Sequence, residues 1–185
     1  MGGVLLGLMV VENITVIDQF SPVWDAQSHV TLGSAYVRAD LYDQAEQEYK
    51  KALEFYSDYP NALSGLGLIQ YIRENYEESK NLFEKAVALN PTDEYGHRYL
   101  GDIYRKSKEY DKALDEYAKA IRIDPEYGEA YFGAGMAYAN SGRIPEAIKV
   151  WEKLLEQYPN FELAKENLAR AKRNLERMRK AQEKQ

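Results

Sequence analysis

Two histidines are the residues of this sequence best suited to acid–base catalysis or metal binding near neutral pH. They are His29 and His97, and the 185-residue chain has no cysteine. The lack of cysteine excludes disulfides, thiolate zinc sites and cysteine nucleophiles. Neither histidine has a matched carboxylate cluster, and the sequence has no glycine-rich phosphate loop. We therefore expect no catalytic residue, no metal and no cofactor, and we predict that the chain is not an enzyme.

Three charged residues with helical spacing offer a different chemistry. Arg98, Asp102 and Arg105 are four and three positions apart, so they would share one face of a helix. Two guanidinium groups on one face can hold an acidic group of a partner. The same spacing also allows both arginines to pair with Asp102 and satisfy one another. The sequence allows both interpretations.

The overall composition indicates a folded protein without a nucleic-acid partner. Hydrophobic residues make up 45% of the chain and charged residues 29%, which is typical of globular domains. A net charge of −6 lacks the basic footprint that nucleic-acid binding requires. The longest apolar run, residues 4–11, is shorter than the roughly 18–20 residues of a transmembrane helix. We expect a cytoplasmic protein, or a membrane-tethered one if this run belongs to an anchor.

The elements that must position these side chains recur every 34 residues along the sequence. At one position of the repeat, here called a column, every residue is small: Gly33, Gly67, Gly101 and Gly135. A second small column contains Ala45, Ser79, Ala113 and Ala147. A bulky column contains Tyr49, Phe83, Tyr117 and Trp151. Small residues facing large ones are typical of two closely packed antiparallel helices, so each repeat is predicted to be a helical hairpin.

Prolines mark the ends of the predicted repeats. Pro91, Pro125 and Pro159 follow the second helix, which proline cannot continue. In the first repeat Ser57 stands at that position, and Pro60 comes three residues later. This shift predicts that the second helix of the first repeat is about one turn longer than the others.

The pattern Leu-Gly-x-x-Tyr, then Ala-x-x-x-Tyr/Phe-x-x-Ala, then Pro resembles the tetratricopeptide repeat, at that family's 34-residue period. The resemblance implies an all-α fold, a right-handed superhelical solenoid of helix-turn-helix repeats with a C-terminal capping helix. It places both histidines where the family has a large packing residue, so we predict that they belong to the core. We place the four repeats at residues 26–59, 60–93, 94–127 and 128–161.

Both ends of the chain lie outside these repeats. Residues 162–185 are predicted to be a capping helix; their eight basic and four acidic residues also allow contact with an acidic partner or membrane surface. Residues 1–25 are too apolar for a solvated tail, and three interpretations are open. They are an N-terminal cap, the remnant of a membrane anchor, or a segment docked in the groove of its own or a neighbouring molecule. The last would make a homo-oligomer. We expect membrane association only if the segment is part of an anchor.

In the family, the first helix of each repeat lines a concave groove that holds a peptide. Carrying the inward-facing positions over predicts peptide contacts at Gln27, Val30, Ser34, Val37, Asn61, Ser64, Leu68, Tyr71, Tyr95, Arg98, Asp102, Arg105, Glu129, Phe132, Met136 and Ala139. The resemblance therefore implies a protein-interaction adaptor or scaffold with a protein or peptide partner. Two alternatives are a structural scaffold that self-assembles through its apolar N-terminal segment and the regulatory part of a larger complex.

The sequence argues against one known function of the family. Co-chaperones of this kind grip the C-terminal carboxylate of a chaperone with Lys, Asn and Arg side chains. In this sequence the corresponding positions hold Val30, Ser34, Gly65, Tyr95 and Tyr99. We do not expect a chaperone C-terminal tail to be the partner.

Overall fold

The structure is a computed structural model that describes residues 25–183, and every regular element in this range is an α-helix. The helices form two compact halves that divide between Leu89 and Asn90. The N-terminal half contains α1 (residues 25–38), α2 (Tyr42–Phe55), α3 (Pro60–Ile72) and α4 (Tyr76–Leu89). The C-terminal half contains α5 (Glu94–Lys106), α6 (Tyr110–Ile123), α7 (Gly128–Asn140), α8 (Ile144–Gln157) and α9 (Glu162–Gln182).

The prediction of an all-α fold built from helical repeats is confirmed. Helices α3, α5 and α7 begin at residues 60, 94 and 128, and each packs against the helix that follows it. No helix between residues 25 and 183 combines the length and apolarity that a bilayer span requires. The three interpretations of the apolar N-terminal segment concern residues that lie almost wholly outside the described range.

The prediction of a longer second helix in the first repeat is wrong. Helix α2 ends at Phe55 and has the same 14 residues as α4, α6 and α8. Pro60 does not terminate α2 but occupies the start of α3. Proline suits this position because the first N–H groups of a helix have no intrahelical partner and its fixed φ is already helical.

Each hairpin turns through one residue with a left-handed backbone. These residues are Asp40 (φ 58°), Glu74 (64°), Lys108 (64°) and Gly142 (81°). The next residue donates its N–H to the carbonyl five positions earlier, as Glu109 does to Tyr104 at 2.8 Å. This Schellman-type pattern satisfies the last carbonyls of the first helix. Because only glycine adopts this φ without crowding of its Cβ, three of the four turns are strained.

In each half, an aromatic ring from the second helix of a hairpin packs against a glycine of its own first helix and a glycine of the next hairpin's first helix. The ring of Tyr117 is fully buried. A Cβ added at Gly101 would lie 2.8 Å from this ring, and one added at Gly133 would lie 2.5 Å from it. Tyr49 has the same relation to Gly33 and Gly65 in the N-terminal half. The glycines are therefore required for close approach. The small and bulky positions of the repeat predicted this for Gly33 and Gly101, whereas Gly65 and Gly133 lie outside the predicted small positions.

Two polar residues depart from the repeat pattern without leaving unpaired groups. Ser79 is fully buried and donates its hydroxyl to the carbonyl of Gly67 at 2.8 Å. Gln70 is buried too, and its side chain accepts a hydrogen bond from Asn75 at 2.8 Å. Because buried polar groups are costly only when unpaired, both substitutions are compatible with the packing.

The last helix covers the apolar side of α8. Ala164 and Ala171 are buried in one cluster with Trp151 and Leu154, and Leu168 packs against them. The opposite side of α9 is exposed and rich in charge. This packing is what a capping helix requires, because the end of a repeat array must present a polar outer surface.

The strained turns predict that glycine is the better residue at position 108. We expect Lys108→Gly to raise the free energy of unfolding by roughly 0.5–1 kcal/mol, because it removes the left-handed strain. We expect Gly142→Ala to lower it by about 1 kcal/mol. Urea denaturation followed by circular dichroism measures both. Lys108→Ala is the control, because alanine keeps the strained Cβ. An equal gain in the free energy of unfolding from Lys108→Ala would show that the lysine side chain, and not the left-handed backbone, destabilises the turn.

The wedged ring predicts that Gly101→Ala destabilises the fold. Alanine favours a helix over glycine by about 1 kcal/mol, but we expect a net loss of about 1–3 kcal/mol because the new Cβ overlaps Tyr117. Combining Gly101→Ala with Tyr117→Leu should cost less than the sum of the single changes, measured as a double-mutant cycle. Strictly additive costs would show that the methyl group and the ring do not compete for one space.

Candidate peptide-binding face

The predicted peptide contacts lie on the first helices of the hairpins. We call this surface the first-helix face and treat it separately in each half. In the N-terminal half it is formed by α1 and α3, and in the C-terminal half by α5 and α7, which are in contact with each other.

The predicted contacts in the N-terminal half differ in exposure. Gln27 and Asn61 are exposed, and Val30 is buried in the core of this half. The remaining ones, half-buried, are Ser34, Val37, Ser64, Leu68 and Tyr71. The hydroxyl of Ser34 is 3.2 Å from that of Tyr49. The predicted contacts of this half carry no charge, so they offer polar and apolar interactions without an ionic one.

The predicted contacts in the C-terminal half surround a charged group. Tyr95, with 57% of its surface exposed, and Glu129 are the exposed members. Asp102 is buried. The half-buried ones are Arg98, Arg105, Phe132, Met136 and Ala139. This half therefore combines an aromatic ring, aliphatic surface and two arginines.

Asp102 holds both arginines. One of its carboxylate oxygens accepts a hydrogen bond from Arg98 at 2.6 Å. The other accepts from Arg105 at 3.4 Å and from the hydroxyl of Tyr117 at 2.6 Å. The interpretation in which the three charged residues satisfy one another therefore describes the chain without a partner. The two guanidinium groups and the carboxylate together carry a net charge of about +1, which an acidic group would complement.

Two tyrosines complete the network. The Arg98 Nε donates to the Tyr127 hydroxyl at 3.2 Å, and the Arg105 Nε donates to the Tyr117 hydroxyl at 3.3 Å. Burial raises the pKa of Tyr127 to about 12. Burial, reinforced by Asp102, raises the pKa of Tyr117 still further. Both hydroxyls are therefore neutral at physiological pH, and each can accept from an arginine.

Aromatic contacts flank the charged group. Tyr95 packs edge-on against Tyr127 with ring centroids 5.2 Å apart. Phe132 stacks on Phe161, the residue before α9, at 5.4 Å. The guanidinium of Arg98 also lies over the ring of Tyr99, 3.4 Å from its centroid. The guanidinium of Arg98 is thus held by Asp102, Tyr127 and the Tyr99 ring together.

Each histidine forms an equivalent triad with a glutamate and a lysine. The Nδ1 of His97 is 2.6 Å from Glu116, which Lys119 also contacts at 2.6 Å. Burial alone would raise the pKa of Glu116, but hydrogen bonds from His97 and Lys119 outweigh it and lower the pKa below its usual value. His29 has the same relation to Glu48 at 2.6 Å. In residues 25–183 no group of three or more metal-ligating side chains could hold an ion. His97 is buried, and His29 is half-buried.

Comparison with protein families identifies the repeat. Models described as tetratricopeptide repeat match residues 24–92, 82–115 and 128–161, and one described as TPR repeat matches residues 101–142. Together they extend over the four hairpins. The chain belongs to the tetratricopeptide repeat (TPR) family. A sequence search of curated proteins gave no match.

Solved TPR structures resemble this TPR chain over most of its length. YrrB, described as a TPR protein with an unusual peptide-binding site, has 26% identity and a TM-score of 0.69, covering 88% of this chain and 83% of its own. MamA has 27% identity and a TM-score of 0.65, covering 78% and 84%. The first TPR domain of Spaghetti (RPAP3), bound to the HSP90 peptide SRMEEVD, has 22% identity and a TM-score of 0.61, covering 63% and 92%. This last likeness shows the fold alone. Repeats of this family are typically protein-interaction modules.

The TPR repeats alternate between a polar and an apolar type, a regularity that the 34-residue period does not predict. Residues 34 and 102 are Ser and Asp, and each faces a tyrosine hydroxyl, of Tyr49 and Tyr117 respectively. The same two positions in the second and fourth repeats hold Leu68 with Phe83, and Met136 with Trp151. A comparison of alternate repeats, 68 residues apart, could have found this pairing. Such a comparison would have predicted the contact between the Tyr117 hydroxyl and Asp102.

The buried carboxylate predicts that Asp102→Asn destabilises the TPR chain. We expect the free energy of unfolding to fall by about 2 kcal/mol, because the change leaves Arg98 and Arg105 without their shared anion. Urea denaturation at neutral pH measures this. The control is Asp111→Asn, since 96% of the Asp111 side chain is exposed. A surface ion pair contributes about 0–1 kcal/mol at most, so equal losses at both positions would show that the network does not stabilise the fold.

Proposed function

We propose that this TPR protein is an adaptor that binds a peptide segment of a protein partner on the first-helix face, with an acidic group of the peptide held at Arg98 and Arg105. The observation that carries the proposal is the pair of ordered, half-buried arginines around a single carboxylate. Their side chains keep 17% and 22% of their surface exposed. A ligand can therefore reach guanidinium groups whose positions are already fixed.

The arginines have donors to spare. A guanidinium carries five N–H groups. Within residues 25–183, Arg98 directs one hydrogen bond to Asp102 and one to Tyr127, and Arg105 directs one to Asp102 and one to Tyr117. The N–H groups that remain at each arginine suit the two oxygens of a carboxylate. A lysine pair would lack this planar geometry.

Apolar contacts on the same face would hold the rest of the peptide. Tyr95 supplies an exposed aromatic ring near the arginines, through its contact with Tyr127. Met136 and Phe132 supply half-buried apolar surface on the adjacent helix α7. Aromatic, methionine and arginine side chains are the types that concentrate binding energy at protein interfaces. The partner is therefore proposed to carry an acidic residue close to an apolar one.

The similar proteins support peptide binding in general. YrrB is described by a peptide-binding site, and the RPAP3 domain was solved with a peptide that contains acidic residues. The present chain lacks the Lys and Asn positions that grip a chaperone tail, so its partner is proposed to differ. No catalytic role is proposed, because the polar groups of the face pair with one another rather than aim a base or nucleophile at an open position.

Peptide selection against the full-length chain tests this function. We expect a displayed random-peptide library to give binders enriched in Asp or Glu beside apolar residues. Replacing both arginines in Arg98→Gln/Arg105→Gln should weaken the binding of those peptides about tenfold or more, because each loses a charge-assisted contact. Fluorescence anisotropy with labelled peptides measures the change.

The matched control is Arg122→Gln/Arg170→Gln, which removes the same charge from exposed arginines on α6 and α9. Circular dichroism establishes that both double variants retain their helices. Selection of no peptides, or equal affinity for both double variants, would contradict the proposed site.

A further inference from the structure

A second surface lies away from the first-helix face, between α6 and α8. Here an apolar cleft of about 300 Å³ opens in the C-terminal half. Its walls include Leu114, Ala118 and Ile121 from α6 and Val150 from α8, with Tyr131 and Tyr138 contributed by α7. None of these residues belongs to the first-helix face. The volume is at the lower end of the range for ligand pockets, enough for a few apolar side chains.

The cleft is not a general consequence of the repeat. The positions of Leu114 and Ala118 are occupied 68 residues earlier, on α2, by Glu46 and Lys50. There Glu46 pairs with Lys50 at 2.6 Å and with Arg73 at 2.5 Å. In the N-terminal half, charged residues that satisfy one another thus stand where the C-terminal half has apolar side chains.

The cleft exposes apolar surface to water. Ala118 is exposed, and Leu114, Ile121 and Val150 are half-buried. Contiguous apolar surface of this kind marks an interaction site more often than scattered single residues do. Two exposed lysines, Lys149 and Lys153, also line the cleft. Neither forms an ion pair with any residue between 25 and 183, so an apolar occupant with acidic residues would complement it.

The chain contains such a segment outside the described residues. Residues 4–20 include an eight-residue apolar run followed by two isoleucines, a valine and a phenylalanine. Glu12 and Asp18 are the only charged side chains in the first 24 residues. At about 3.3 Å per residue, 24 residues can extend up to roughly 80 Å from the start of α1. Covalent attachment gives this segment a high effective concentration that a free partner lacks.

We propose that residues 4–20 of this chain occupy the α6–α8 cleft, with their apolar side chains against Leu114, Ile121 and Val150 and their carboxylates near Lys149 and Lys153. The N-terminal segment is then a ligand of the outer surface of the repeats. The first-helix face stays available for a peptide partner. The proposal is independent of the function assigned to that face.

Disulfide trapping in the full-length chain tests the proposal, because the sequence has no native cysteine. We expect Leu8→Cys to form a disulfide with Ala118→Cys about tenfold faster than with Ala169→Cys, an exposed position on α9. A third pair, Leu8→Cys with Glu129→Cys, reports on the first-helix face. Non-reducing electrophoresis gives the rates. A monomeric product supports the proposal, and a dimeric product would overturn it, because the occupant would then be the segment of a second copy.

Placing a charge in the wall of the cleft provides a second test. Adding Ile121→Glu should slow the disulfide between positions 8 and 118 about tenfold, because a carboxylate replaces apolar wall and repels the acidic segment. Adding Ala169→Glu instead should leave the rate unchanged, and circular dichroism verifies the fold of each variant. Equal rates for the three cysteine pairs, or fastest trapping at Glu129→Cys, would overturn the proposal.

Discussion

The structure depends on an aromatic ring pressed against the backbone of two neighbouring helices. In each half, a tyrosine of a second helix meets a glycine of its own hairpin and a glycine of the next one, and even one added carbon would overlap the ring. Truncating such a ring to alanine typically costs about 3–5 kcal/mol. The ring therefore joins two hairpins, not only the two helices of one.

The same ring connects the core to the surface proposed for binding. Tyr117 fills the space between Gly101 and Gly133, and its hydroxyl extends to Asp102. Where the ring has no such hydroxyl, as with Phe83 and Trp151, the first helix carries an apolar residue instead. In all four repeats a tyrosine in the core thus accompanies a polar residue on the first helix, and an aromatic ring without a hydroxyl accompanies an apolar one.

How much the sequence predicts depends on whether a feature is repeated. Small and bulky residues at a fixed period predicted the hairpins and the close contacts of the repeated glycines, but not those of Gly65 and Gly133, which join one hairpin to the next. The left-handed turns were not predicted, because Lys108 and Glu74 carry no sign of a conformation that usually selects glycine. Proline alone could not distinguish the end of α2 from the start of α3, since it is compatible with both. For Arg98, Asp102 and Arg105, helical spacing left two interpretations, and only the side-chain positions in the structure showed that both arginines pair with Asp102.

The two interpretations of the arginines are not exclusive in physical terms. Long charged side chains lose conformational entropy when they bind, about 0.5–1.5 kcal/mol for each side chain that becomes immobile. Asp102 and the two tyrosine hydroxyls have already fixed Arg98 and Arg105 in the free chain. The N–H donors are therefore already in position when a carboxylate of a partner binds, so less binding free energy is lost to ordering the arginine side chains. The buried aspartate thus lowers the net charge of the site and at the same time reduces the conformational entropy that the arginines would lose on binding.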